Sequence, residues 1–177
     1  MKLRPMPIII SVVVSAVVLF GGWFAYNSYA MEQPLTDIAN KAPGVESSTT
    51  NLSSTQVLLE LKLKQDANLR EIVQQISKQG STIIGQRELV VRVTGQSSPE
   101  LDAWWSKALF DVAQAMETKQ YANIPITLQA KAASVSGLTV DTQMDSKYVY
   151  VRINKGTSSK FIMLPRVSGK IGVWPNE

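Results

Sequence analysis

The chain has 177 residues, a formal net charge of +4, and neither cysteine nor histidine. Those two absences exclude disulfide frameworks, thiolate nucleophiles, iron–sulfur clusters, zinc sites built on cysteine or histidine, and any triad that needs an imidazole. The apolar share of 45% is unevenly spread: residues 1–30 hold 20 of the apolar side chains, and residues 31–177 have the composition of an ordinary folded domain.

Lys2 and Arg4 open the chain. An apolar run then covers residues 8–25, through Ile8, Ile9, Ile10, Val12, Val13, Val14, Val17, Val18, Leu19, Phe20, Trp23 and Phe24. As a helix such a run spans about 27 Å, close to the ~30 Å hydrocarbon core of a bilayer. Aromatic residues gather at its far end, and Lys2 and Arg4 are the only charges before Glu32. The pattern predicts a single-pass signal-anchor over residues 1–30, with the N-terminus cytoplasmic and the remainder extracytoplasmic. The implied location is the cell membrane, which is then itself a partner. The competing reading is a signal peptide cleaved after Ala30, since Ser28-Tyr29-Ala30 is a small-x-small site; the length of the apolar run and the aromatics beside that site favour the anchor.

Residues 31–54 read as a linker, with Pro34, Pro43-Gly44 and a polar run from Glu46 to Ser54; a short amphipathic turn around Leu35 and Ala39 fits within it. From residue 55 the texture changes. Val57, Leu59, Leu61 and Leu63 alternate with polar or outward residues, the period of a half-buried strand. Asp66 or Asn68 can cap a helix carrying Leu69, Ile72, Val73 and Ile76 on one stripe, ended by Gly80. Residues 82–94 read as a strand with Gly85 at a bulge or bend. Ser98-Pro99-Glu100 starts a long helix whose stripe includes Leu101, Trp104, Trp105, Ala108 and Val112. Asn123 and Pro125 suggest a further short helix through Ser134, against a competing strand over residues 124–129. The last third carries three alternating runs, turned at Asp145-Ser146 and at Asn154-Lys155-Gly156, which predict an antiparallel meander. The expected fold is therefore α+β (or small α/β), an anchor and linker followed by a β-α-β-α-(α)-β-β-β domain over residues 55–165. Residues 166–177 form a tail.

No phosphate-binding glycine loop, no Ser-x-x-Lys pair and no dense carboxylate loop for calcium occurs, so no catalytic residue, metal or cofactor is assigned. Lys160 follows Ser158 and Ser159, but on a hairpin loop it would stay solvated and charged rather than activate a hydroxyl. Beyond residue 30 the net charge is only +2 and no basic run exceeds two residues, which argues against a nucleic-acid partner. The candidate interface residues are Trp104 and Trp105 on the long helix, with Tyr148, Tyr150 and Arg152 on one strand face that is expected to be wet if helices cover only the other. The function these features point to is a non-enzymatic interaction or assembly module of the cell envelope, pairing with an envelope protein or with itself. The alternative is a cell-wall or glycan-binding or hydrolysing protein using carboxylates and aromatics.

Overall fold

The computed structural model describes residues 5–27, 31–95 and 97–166. Its elements run α1 (Pro5–Asn27), α2 (Gln33–Asn40), β1 (Val45–Leu52), β2 (Gln56–Leu63), α3 (Leu69–Gln79), α4 (Ser81–Ile84), β3 (Glu88–Val93), α5 (Pro99–Glu117), α6 (Asn123–Ala133), β4 (Leu138–Met144), β5 (Tyr148–Lys155) and β6 (Ser158–Pro165). The class is α+β, with two three-stranded sheets and six helices among the described residues.

Among those residues no helix is long and apolar enough to cross a membrane, which corrects the expected signal-anchor. The expected location, at the cell membrane with a cytoplasmic N-terminus and an extracytoplasmic domain held by that anchor, is corrected with it. The physical reason lies in the composition of α1, whose 23 residues carry an interrupted apolar run. The apolar side chains described without a break cover residues 9–23, from Ile9 and Ile10 through Val12, Val13, Val14, Val17, Val18, Leu19 and Phe20 to Trp23. Ser11, Ser15, Gly21 and Gly22 interrupt them further. The side chains of Ile8 and Phe24, the charges of Lys2 and Arg4, the Ser28-Tyr29-Ala30 site and the tail past Arg166 lie outside the described residues.

The first sheet is ordered β1-β2-β3, with β1 antiparallel and β3 parallel to β2. Parallel pairing needs a crossover, and α3 and α4 supply it. Val57, Leu59, Leu61 and Leu63 point to one face and are fully buried there. Leu35 and Ala39 of α2 and the stripe Leu69, Ile72, Val73 and Ile76 of α3 complete this core. Asn68 caps α3 reciprocally: its Oδ1 accepts from Glu71 N at 3.3 Å, and its Nδ2 donates to the Glu71 carboxylate. Ile83 and Ile84, expected in a strand, form the single turn α4, because Gly80 ends α3 and Gly85 (φ +59) turns the chain into β3.

The second sheet is the meander β4-β5-β6. Val149, Val151 and Ile153 face α5 and α6, where Leu101, Trp105, Ala108 and Val112 meet Ile124 and Leu128 in a separate core. Helix α5 starts where Ser98 Oγ accepts from Leu101 N at 3.3 Å. Ser98→Ala is expected to lower stability by about 1 kcal/mol, and Ser98→Gly by only a few tenths, in urea unfolding monitored by circular dichroism.

Candidate functional site

Alternation places Tyr148, Tyr150 and Arg152 on the sheet face opposite Val149, Val151 and Ile153, together with Phe161 and Met163. That face is not wet. It packs against the first core, and Tyr150 is only 3% exposed. A tyrosine hydroxyl so placed needs a partner, and Tyr150 donates to Asp145 Oδ2 at 2.8 Å. The same carboxylate accepts the backbone N–H groups of Lys147 and Tyr148 at 2.8 Å through Oδ1, closing the β4–β5 turn. Burial pushes the Asp145 pKa upward. The bonds from Lys147, Tyr148, the Tyr150 hydroxyl and Gln74 of α3 outweigh it and hold the carboxyl below its usual value. For Tyr150 burial and the Asp145 carboxylate act together and raise the hydroxyl well above the usual tyrosine value, so it remains a donor.

Arg152 completes the junction. Its Nη1 donates to the carbonyls of Asp66 (2.8 Å) and Ala67 (3.1 Å) in the β2–α3 connection, and Nη2 lies 3.5 Å from Asp141 Oδ2. The last described residue of the second unit is held similarly: Arg166 lies 4.8 Å over the Tyr121 ring, Tyr121 donates to its carbonyl, and its guanidinium reaches the Asp145 carbonyl. The aromatic and basic side chains of the expected wet face are thus engaged in joining the two halves of the chain.

Trp105 is buried in the second core, while Trp104 lies partly buried at its boundary. Neither forms an open aromatic platform. The exposed aromatic of α5 is instead Phe110, at 79%. Glu100 and Asp102 in the first turn of α5 pair with Lys155 and Lys160 across the β5–β6 hairpin, the latter at 2.7 Å. Lys160 and Ser97 together hold the Asp102 carboxyl below its usual value. Lys160 belongs to β6 rather than to a loop, and Ser159, its neighbour, points to the opposite face. No hydroxyl–amine dyad forms there. Both carboxylate oxygens of Asp145 accept from protein donors, Oδ2 of Asp141 accepts from Gln143 and lies 3.5 Å from Arg152, and no cluster of potential metal ligands occurs among the described residues.

Three cavities stand out. One of about 410 Å³ opens between Gln65, Asp66, Arg152 and Asn154. A crevice of about 10 Å³ beside Asp141 and Tyr150 has room for no ligand. The third, about 240 Å³, lies between α2 and β1 and is lined by Glu32, Gln33, Thr36, Asp37 and residues 48–50. None of the three joins two carboxylates to a tryptophan or tyrosine. The α2–β1 groove did not stand out in the sequence, and Asp145 was legible only as the start of an Asp-Ser turn, whose aspartate commonly bonds the backbone two residues on.

No protein-family model, no curated protein and no solved structure matches this chain.

Proposed function

We propose that the chain is a non-enzymatic interaction or assembly module. What supports the reading most is how the polar groups are used. The carboxylates, tyrosines and arginines nearest one another bond among themselves and to backbone at the junction, while β1 and β4 end their sheets with no neighbouring strand among the described residues. Unpaired strand edges are templates for another chain, and groups already committed to one another are poorly placed to turn over a substrate. The glycan-acting alternative needs two carboxylates beside an aromatic in one cleft, an arrangement none of the three cavities has.

The test is crosslinking of the full chain through surface lysines in its own cells, followed by turnover assays on wall-type glycan fragments. The expected result is one recurrent crosslinked partner or a second copy, with no turnover. A chain that stays single and cleaves the fragments would reverse the assignment.

A further inference from the structure

We infer that the outer edge of β1 is a strand-addition site for a short, extended, basic segment of another protein; this rests on the interaction-module reading and gives it a surface. The phase of β1 is set by its ladder. Ser53 N bonds Gln56 O at 2.9 Å, so Ser53 faces β2, and alternation turns Leu52, Thr50 and Ser48 away from it. A second observation fixes the same phase. Leu61, the register partner of Ser48, accepts Thr94 N at 2.9 Å on the β3 side, as a pair that shares no ladder bond must.

The outward N–H of Leu52 shows what the edge takes. The Glu32 carboxylate accepts it at 3.2 Å, in the place where the carbonyl of an added strand would sit. One turn of α2 beyond Glu32, Ser48 and the largely buried Thr50 line the groove of about 240 Å³. Its helix wall carries two carboxylates, the exposed Asp37 and Glu32 with its bond from Leu52 N, and among the described residues no lysine or arginine lines it. A register shift between Val45 and Ser47 bends the far end of β1 and limits pairing to a few residues.

Charge selects the occupant. Two copies meeting edge to edge would bring the Glu32 and Asp37 carboxylates of each chain close to those of the other, and like charges brought together are unfavourable, whereas Glu46 already pairs with Lys62 at 3.3 Å. Lysine or arginine side chains on an incoming strand would instead meet the α2 carboxylates while its backbone meets Ser48 and Thr50.

The probe is a labelled, capped hexapeptide alternating valine and lysine, titrated by fluorescence anisotropy against the full chain, beside a valine–glutamate counterpart. The lysine peptide should bind, and the glutamate peptide or the Asp37→Lys variant should weaken binding by about tenfold or more. Thr50→Pro, which removes an outward N–H without touching the ladder to β2, should abolish binding. Asp37 is exposed, so its variant keeps the test open if the proline variant unfolds. Equal binding of both peptides, or binding unaffected by Asp37→Lys, overturns the proposal. So does a dimer by light scattering that Thr50→Pro dissolves, because the edge then belongs to a second copy. A crosslinked partner seated elsewhere, with no peptide binding, overturns this site and leaves the module reading standing; glycan turnover removes the module reading itself.

Discussion

Asp145→Ala is expected to lower the stability of the chain by about 2–3 kcal/mol, most of it from a Tyr150 hydroxyl left buried without a partner. The turn also loses the acceptor for Lys147 N and Tyr148 N, and α3 loses the bond from Gln74. Because the same carboxylate closes the β4–β5 turn and touches α3, both cores should loosen together, with protection in hydrogen exchange falling at Tyr150 and along α3. Tyr150→Phe should cost less, since it removes donor and need at once and leaves the backbone bonds in place. The pH dependence has a definite sign. The folded carboxyl titrates below its usual 3.8, so the native state binds fewer protons than the unfolded chain near that pH. Its contribution is fully present above the unfolded value and is lost as pH falls through the folded one. Asp145→Asn should therefore flatten the acid limb of the stability curve, leaving the slope from Asp102, which also titrates low. An acid limb unchanged in Asp145→Asn would remove Asp145 from the junction.

What could be read from the sequence was what the hydrophobic effect writes into it. The alternation of Val57, Leu59, Leu61 and Leu63, the stripe on α3 and the cap at Ser98 each correspond to a buried face or a satisfied helix end. Strand β1 carries no such mark. On the core face its Ser48 and Thr50 meet α2 through hydroxyl bonds: Thr36 Oγ1 donates to Thr50 Oγ1 at 2.8 Å, and Ser48 Oγ donates to Thr36 O at 3.1 Å. A run of serine and threonine held by polar contacts and a backbone ladder has the composition of a linker, which is why residues 31–54 read as one. Tyr148, Tyr150 and Arg152 failed in the opposite direction. Their alternation was legible, but a periodic face says nothing about which other part of the chain will cover it, and here the β2–α3 connection and α3 do. The candidate site depends on these same two facts, since the groove exists only because β1 is a strand, and the junction only because the tyrosine face is covered.

Gly44→Ala is expected to cost about 2–5 kcal/mol, from two separable sources. Gly44 stands at φ +88, where an L side chain is strained by roughly 1–2 kcal/mol. A Cβ there would also lie 2.8 Å from Ala67 Cβ and 3.1 Å from Ala67 Cα, so the Ala67 backbone would have to move, an overpacking worth about 1–3 kcal/mol. Two controls separate the sources. Gly85→Ala (φ +59, with open space around its Cβ) should show the conformational cost alone. Ala67→Gly added to Gly44→Ala should recover much of the steric part and none of the conformational part. The consequence reaches past the glycine, because the Gly44 carbonyl accepts Lys64 N at 2.8 Å and the Ala67 carbonyl accepts Arg152. Moving Ala67 moves the anchor of the second sheet, so Gly44→Ala should weaken the junction as well as the first core. Urea unfolding that splits into two transitions, with the second sheet the better protected in hydrogen exchange, is the expected signature. A single transition at the wild-type midpoint would mean that the crossing of the α2–β1 and β2–α3 connections has slack enough to take a methyl group.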